Sequence, residues 1–389
     1  MKKAQFFLTF CLLLLSCIVT AEEQKRKRVC LNMIVKNEKE VIKRSLKTVK
    51  PFIDYWVIVD TGSTDGTQEI IKEFMKDIPG ELHEDPFVNF EYSRNKALSF
   101  AKNKADYILF IDADEEFDYD KDFKLPPLEK DFYHIKINNN GNEYVRRLLI
   151  KDGLNWHWVG VLHEVIVSDQ ARTHAVIEGI KNIYHTDGAR SKDPLKYQKD
   201  AQMLEEALKK KPNSTRTTFY LAQSYRDAKD HTKALEWYAK RVAMEGWNQE
   251  VFWAMLEVAR MKQALDRPAE DFIPEYLKAY QYRPIRAEPL YYIANYYRLK
   301  GDYLSGYLIA SMAYNIPTPD DTLFVRKWMY DYGIPIELSI CAYWIGKYEE
   351  CKQISLKMLN NPDLPKHVLD CAKDNLSFAN KKLKEEKAA

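Results

Sequence analysis

Short apolar runs alternate with segments of helical spacing between Arg28 and His185. Helical segments such as VIKRSLKTV and TQEIIKEFM separate three runs that read as buried strands: VCLNMIV, WVIVD and YILFID. This alternation is typical of a mostly parallel sheet with helices on its faces, so we expect an α/β domain over residues 28–190. In open sheets of this kind, ligands bind beyond the carboxyl ends of the strands.

Two of the predicted strands end on a carboxylate at that edge, and these residues are Asp60 and Asp112. A carboxylate in this position can accept hydrogen bonds from a base or a ribose. Asp60 also opens the turn DTGSTDGT, whose polar residues suit the start of a helix. Asp60 could therefore bind a ligand through its carboxylate, or it could serve only to form the capped turn, and both interpretations remain open.

Four acidic residues lie within five positions after the third strand: Asp112, Asp114, Glu115 and Glu116. Like charges packed this closely are unfavourable unless positive charge lies among them. The pair Asp112 and Asp114 suits a divalent cation that prefers oxygen ligands, and the cation would supply that charge. A solvated acidic turn is the alternative.

A titratable pair, His163 and Glu164, follows the aromatic run WHWVGVL. Such a pair in apolar surroundings is a candidate for acid–base catalysis. His157, His174 and His185 add further donors in the same region. A structural role is the alternative for each of these histidines.

Long amphipathic segments replace the alternating pattern after Pro194. The segments FYLAQSYRDAKDHTKALEWY and YIANYYRLKGDYLSGYLIA place glycine, aromatic and small residues at the offsets of tetratricopeptide repeats, in units of about 34 residues. We therefore expect an all-α domain of stacked helical hairpins over residues 195–380, with an irregular helical domain as the alternative.

Residues 1–21 carry lysines at positions 2 and 3, continue as an apolar run and end on small residues. This layout predicts a signal peptide or a membrane anchor. The protein is accordingly expected in the secretory pathway or at a membrane, and an anchor that leaves the catalytic part on the cytoplasmic face is the alternative. With a net charge of only +2, the chain lacks the excess of positive charge that would attract a nucleic-acid partner.

Five sequence blocks in order resemble the family-two inverting glycosyltransferases of GT-A fold, in particular the branch that carries tetratricopeptide repeats. The blocks are LNMIVKNEKEVI, VDTGSTDGT, YSRNKAL, ILFIDADEEF and the series RRLL, GVLHE and IYH. The resemblance covers about Val29–His185 and extends into the helical tail. The resemblance implies a Rossmann-like GT-A domain followed by helical repeats, and an enzyme that transfers a hexose or a similar sugar with inversion.

The resemblance also implies a nucleotide-sugar donor, with UDP-linked sugars among the options, and a glycan, lipid or protein acceptor. By this resemblance Asp60 contacts the base or ribose, and backbone near Asn32 and Val35 lines the base pocket. Arg94 faces the diphosphate, and Asp112 contributes to both donor and cation binding. A protein partner on the repeat domain is a further expectation.

The cation implied by the resemblance is Mn²⁺ or Mg²⁺. Asp112 and Asp114 flank it, with Asp114 as a direct ligand. His185 completes the site, and His163 is the alternative histidine. A histidine ligand favours manganese. Glu164 is the predicted general base, although the family usually has ED where this chain has HE.

Two other functions fit parts of the pattern. A nucleotidyltransferase would use a similar sheet, but the segment NMIVKNE lacks the glycines of a phosphate loop. A helical-repeat scaffold could carry an inactive transferase domain. The candidate site keeps all of its acidic residues, which argues against an inactive transferase domain; they are Asp60, Asp112, Asp114 and Glu164.

Overall fold

The computed structural model describes residues 26–139 and 142–388. The chain divides into two compact units between Pro194 and Leu195. The signal peptide or anchor predicted at 1–21 lies outside the described residues. None of the helices in the two described ranges has the length and apolarity needed to cross a membrane.

The first unit is an α/β unit in which most strands form one sheet. Its described strands are β1 (Val29–Val35), β2 (Tyr55–Asp60), β3 (Gly80–Glu84), β4 (Tyr107–Phe110), β5 (Glu116–Tyr119), β6 (Phe132–Asn139), β7 (Asn142–Lys151), β8 (His157–Val159), β9 (Val165–Val167) and β10 (His174–Ile183). Its described α-helices are α1 (Ile42–Val49), α2 (Thr67–Phe74) and α3 (Phe90–Ala101).

The sheet has eight strands in the order β3-β2-β1-β4-β7-β6-β10-β5. Strand β1 pairs in parallel with β2 and β4, and β2 pairs in parallel with β3. Strands β6 and β10 are also parallel, whereas β7 is antiparallel to both of its neighbours and β5 is antiparallel to β10. The prediction of a mostly parallel sheet with helices is confirmed, and the carboxyl ends of β1, β2 and β4 share one edge.

The third predicted strand is shorter than expected. Strand β4 ends at Phe110, so the prediction that Asp112 is its last residue is wrong. The backbone N–H of Asp112 donates to the Glu115 carboxylate over 3.1 Å, and its carbonyl accepts from the Glu115 N–H over 3.1 Å. Because Glu115 takes both backbone groups, Asp112 leaves the strand and starts a tight turn.

The second unit is helical. Its described α-helices are α4 (Lys196–Lys210), α5 (Thr215–Asp227), α6 (His231–Val242), α7 (Asn248–Ala264), α8 (Ala269–Tyr282), α9 (Glu288–Leu299), α10 (Tyr303–Tyr314), α11 (Ile334–Trp344), α12 (Tyr348–Leu359) and α13 (Lys366–Ala388).

Each helix of the second unit packs against the next, and α5 with α7, α9 with α11 and α11 with α13 are also in contact. Small residues permit close approach between helices. A Cβ added at Gly306 in α10 would lie 2.8 Å from the Cys341 sulfur in α11 and 3.4 Å from the Ala294 carbonyl in α9. This stacking of helical hairpins confirms the tetratricopeptide-like prediction.

Candidate active site

The candidate site is centred on the turn that follows β4. Helix α1 holds the backbone of this turn, since the Ser45 hydroxyl donates to the Asp112 carbonyl over 3.2 Å. Arg44, on the same helix, donates to the Asp114 carbonyl over 3.0 Å and binds both carboxylate oxygens of Asp187 over 2.7 Å. Contacts from α1 therefore hold the backbone of the turn in place.

Arg94 of α3 connects two of the predicted site residues. Its Nη2 donates to Asp112 Oδ1 over 2.6 Å, and its Nε donates to Glu164 Oε1. The guanidinium also lies 5.1 Å from the Trp158 ring. The side chains of Arg94 and Glu164 are only 10% and 11% exposed, so the contact is largely shielded from water. The structure thus brings the predicted base, one of the two predicted cation-binding aspartates and the predicted diphosphate ligand to one place.

Arg146 of β7 is a second arginine in this turn, and sequence reasoning gave it no role. Its Nη1 donates to Glu115 Oε1 over 2.5 Å, and its Nη2 lies 3.5 Å from Asp112 Oδ2. Glu115 is fully buried and also accepts from the Asn182 side chain over 2.8 Å. Arg94 and Arg146 therefore supply positive charge that the acidic run requires.

The two aspartates of the turn differ in their electrostatics. Burial alone would raise the pKa of Asp112, but Arg94 and Arg146 outweigh it and hold that pKa below its usual range. Burial, followed by the charges of Asp112 and Glu115, raises the pKa of Asp114 to about 6. The arginines thus compensate Asp112 and leave Asp114 uncompensated.

Asp114 fits the role of a cation ligand. Within the described ranges, its carboxylate is the one member of the acidic run without an ion pair, since the others bind arginines or a histidine. Gly188 lies directly behind it, and a Cβ added there would fall 2.5 Å from Asp114 Oδ2. A half-buried, uncompensated carboxylate in a cradle that a methyl group would fill matches the chemistry of a divalent cation.

The two candidate histidines occupy different places. His185 follows β10, and its Nε2 lies 2.9 Å from Glu116 Oε1. His163 is exposed in the β8–β9 turn, where its φ of 53° is left-handed. No three His, Cys, Asp or Glu side chains in the described ranges are placed to hold a metal together. Asp112, Asp114 and His185 thus do not form a ready three-ligand cluster.

Two of the predicted donor-binding residues, Val35 and Asp60, are the last residues of β1 and β2. Asp60 is 1% exposed, and its Oδ1 accepts from the Gly62 and Ser63 backbone over 2.8 and 2.7 Å. Its Oδ2 is buried without a partner. The Val35 carbonyl accepts from the Thr61 backbone over 2.8 Å. Asp60 is thus a turn-forming residue that keeps one oxygen unused.

Asn32 lies in the middle of β1 and is 3% exposed. Its side-chain amide donates to the Ala97 carbonyl of α3 over 2.9 Å. The side chain therefore fixes the position of the helix that carries Arg94.

Glu38 is a further acidic residue near the turn that sequence reasoning did not single out. Its Oε2 accepts from the Ala189 backbone over 3.2 Å. Burial, followed by the charges of Asp114 and Asp65, raises its pKa to about 7. The only signal in the sequence is its place in the segment VKNEKE after β1.

The amino-acid sequence of this chain is similar to those of known glycosyltransferases and of a tetratricopeptide-repeat protein. Residues 30–133 match the sequence model of the family described as Glycosyl transferase family 2. The SPbeta prophage-derived glycosyltransferase SunS of Bacillus subtilis is 24% identical over 243 residues, which are 58% of this chain and 56% of SunS. A TPR repeat-containing protein of Synechococcus elongatus is 40% identical over 89 residues, which are 23% of this chain and 21% of that protein. The chain thus spans between about a fifth and a little over half of the length of these relatives.

Among solved structures, that of S. aureus TarS 1-349 in complex with UDP-GlcNAc aligns with a TM-score of 0.37 and 12% identity, over 65% of this chain and 91% of TarS. The family match over residues 30–133 covers β1, β2, β4 and the acidic turn. The chain therefore joins a domain that is similar to Glycosyl transferase family 2 over residues 30–133 to tetratricopeptide-like helical hairpins.

Proposed function

We propose that this protein transfers a sugar from a nucleotide-sugar donor to an acceptor hydroxyl, with inversion at the anomeric carbon and with the help of a divalent cation. The observation that carries the proposal is the contact of Arg94 with both Asp112 and Glu164. The guanidinium proposed to bind phosphate thereby contacts a carboxylate proposed to bind the metal ion and the carboxylate proposed as the base. Ligand-binding sites of open α/β sheets lie beyond the carboxyl ends of their strands.

Glu164 is the proposed general base. Its carboxylate accepts a hydrogen bond from Arg94 Nε. A diphosphate offers the planar guanidinium a more highly charged partner, so donor binding would draw Arg94 away and free Glu164 to accept the proton of the acceptor hydroxyl. The hydroxyl oxygen then attacks the anomeric carbon from the face opposite the nucleotide, and the bond to the diphosphate breaks. A single displacement of this kind inverts the anomeric centre.

Asp114 is the proposed primary ligand of Mn²⁺ or Mg²⁺, and Asp112 and His185 are the proposed further ligands. When bound, the cation would stabilise the negative charge that develops on the departing diphosphate. Arg146, which already lies beside Asp112, and Arg94, once it has moved to the diphosphate, would act on the same charge. The uncompensated carboxylate of Asp114 supports this assignment.

Asp60 is proposed to bind the base or ribose through its unpartnered Oδ2. The donor would then extend from the end of β2, past Val35 and Asn32 of β1, to the turn after β4. Strands β2, β1 and β4 are adjacent in the sheet, so this path follows one edge.

The proposal is tested with purified full-length protein and a panel of nucleotide sugars, beginning with UDP-linked sugars. Release of nucleoside diphosphate is measured with Mn²⁺, with Mg²⁺ and with a chelator, and binding is followed as an increase in melting temperature. We expect one donor to bind and to be turned over only with cation. Donor binding to the wild type without any transfer or hydrolysis across a wide acceptor panel would instead favour a scaffold with an inactive domain.

A further inference from the structure

A cluster of arginines in the helical unit surrounds a single buried carboxylate. Arg226 of α5, Arg260 of α7 and Arg326, in the segment before α11, lie around Glu257 of α7. Their nearest nitrogens are 3.6, 2.5 and 3.7 Å from Glu257 Oε1. The Glu257 side chain is 0% exposed, whereas the three arginine side chains are 20%, 27% and 23% exposed. The guanidinium groups therefore reach solvent from a buried acidic centre.

Positive charge exceeds negative charge in this cluster. Arg226 also binds Asp227 over 2.9 Å, so two carboxylates face three guanidinium groups. Arg326 donates through Nη1 to the Tyr292 hydroxyl, which is uncharged. The neighbouring carboxylate of Glu288 does not balance this excess, since it is paired with the fully buried Arg286 over 2.7 Å.

Buried polar atoms without partners lie in the same place. Trp253 is 4% exposed, its ring lies 5.1 Å from the Arg326 guanidinium, and its Nε1 has no hydrogen-bond partner. Glu257 Oε2 has none either. The Gln223 amide lies 3.5 Å from Arg226, and its Nε2 is also buried without a partner. Most buried polar groups in folded proteins are hydrogen-bonded, so these atoms give the cluster hydrogen-bonding capacity that a polar ligand would use.

We propose that this Glu257 cluster, defined as Arg226, Trp253, Glu257, Arg260 and Arg326, binds a phosphate group. Guanidinium forks bind phosphate and carboxylate oxygens in pairs. Three forks that converge from separate segments suit a group with three or more acceptor oxygens and a charge near −2. A single carboxylate has two oxygens and one charge, and would leave a fork unmatched.

The aromatic residues and Glu257 define how the group is held. The Tyr292 ring centroid lies 5.3 and 5.7 Å from the guanidinium carbons of Arg260 and Arg326, so it limits where these side chains can move. Trp253 Nε1 donates to a phosphate oxygen. Glu257 Oε2 accepts from a protonated phosphate oxygen or from a hydroxyl of an ester. The ligand class is therefore a phosphate monoester or the free phosphate ion.

The experiment is an isothermal titration of the full-length protein at constant ionic strength, with inorganic phosphate, glycerol 3-phosphate and acetate as separate probes. We expect saturable binding of both phosphate probes and none of acetate at the same concentrations. Tighter binding of glycerol 3-phosphate would identify an ester as the ligand, and tighter binding of inorganic phosphate would identify the free ion. Equal binding of acetate would overturn the assignment to phosphate.

Variants locate the binding. Arg260→Gln and Arg326→Gln should each weaken phosphate binding by about tenfold or more, since each removes a charge-assisted hydrogen bond. Arg267→Gln, at an exposed position just after α7, is the matched control and should bind as the wild type does. Phosphate affinity unchanged in both cluster variants would disprove the site.

Two conservative variants cover the case in which a glutamine substitution unfolds the helices. Arg260→Lys keeps the charge but not the planar fork and should still weaken binding. Trp253→Phe keeps a buried ring but removes the N–H, and should weaken binding several-fold, as expected for one hydrogen bond. Circular dichroism confirms the fold of each variant. If both folded variants bound phosphate with wild-type affinity, the proposal would fail.

Discussion

Arg94 donates a hydrogen bond to Glu164, seventy positions apart in the chain, and both side chains are nearly buried. The residue expected to face the diphosphate thus holds the residue expected to act as the base. The same guanidinium binds Asp112 over 2.6 Å. If the proposed roles hold, donor binding and activation of the acceptor would be coupled through one side chain, because a phosphate that attracts Arg94 would also change the surroundings of Glu164.

Glu164→Gln tests the base. The substitution keeps the size of the side chain and a carbonyl oxygen that can accept from Arg94, but it removes the proton acceptor. We expect sugar transfer to fall by a factor of about 10² to 10⁴, the range for one general base, while the donor dissociation constant changes little. Single-turnover rates and donor titrations measure the two effects separately.

Glu69→Gln is the matched control for this substitution, because Glu69 is an exposed glutamate of α2. It should leave both rate and affinity unchanged. Normal turnover by the Glu164→Gln variant would show that another residue accepts the proton.

Asp114→Asn tests the uncompensated carboxylate through the pH dependence of stability. The pKa of Asp114 is raised from 3.8 to about 6 in the folded protein, so the folded state binds this proton more tightly than the unfolded state. Its stabilising contribution is complete below pH 3.8 and is lost as the pH rises through 6. Without cation, the variant should therefore gain stability relative to the wild type between pH 4 and 7, by on the order of 1 kcal/mol.

Urea unfolding at pH 4 and pH 8, with and without Mn²⁺, measures this difference. Added Mn²⁺ should stabilise the wild type at pH 8 much more than at pH 4, and should have little effect on the variant. Asp118→Asn changes an exposed carboxylate of β5 and serves as the control. A Mn²⁺ effect of equal size in the wild type and the Asp114→Asn variant would remove Asp114 from the cation site.

Gly188→Ala tests the close packing of Gly188 against the Asp114 carboxylate. The φ of Gly188 is −63°, which alanine adopts without strain, so the effect is steric. The added Cβ would lie 2.5 Å from Asp114 Oδ2 and 2.9 Å from its Cβ and Cγ, and Asp114 must move. We expect cation affinity to fall about tenfold or more while the secondary structure is retained.

A double-mutant cycle separates this effect from general damage. If Gly188 acts through Asp114, then Gly188→Ala should cost little further cation affinity or activity in the Asp114→Asn background. Full additivity of the two losses would mean that Gly188 affects the site by another route.

The sequence predicted the part of the fold that has strong local patterns. Strands β1, β2 and β4 are continuous apolar runs, and each was identified for that reason. Strand β3, with the sequence GELHE, is only partly buried along its length and has no apolar run, so it escaped detection. Strands β7 and β10 mix polar and apolar residues, since parts of them are exposed.

The site was predicted as a set of residues but not as a set of contacts. The resemblance assigned separate roles to Arg94, Asp112 and Glu164. That Arg94 binds the other two follows only from how α3, the turn after β4 and the turn between β8 and β9 fold together. Arg146 belongs to the matching block RRLL, but its contact could not be predicted, because its partner Glu115 lies thirty-one positions earlier and meets it only when β7 pairs beside β4.

Arg146→Met tests whether the acidic turn depends on its second arginine for stability. Glu115 is fully buried, and removing its ion-pair partner leaves an uncompensated carboxylate inside the protein. Breaking a buried pair in this way typically costs about 3 to 5 kcal/mol, and the 30% exposure of Arg146 places the expected cost near the lower end, at about 3 kcal/mol. Lys136→Met breaks an exposed pair with Glu178 and should cost less than about 1 kcal/mol. Urea unfolding of both variants gives the comparison, and equal losses would show that Arg146 stabilises the turn no more than a surface lysine does.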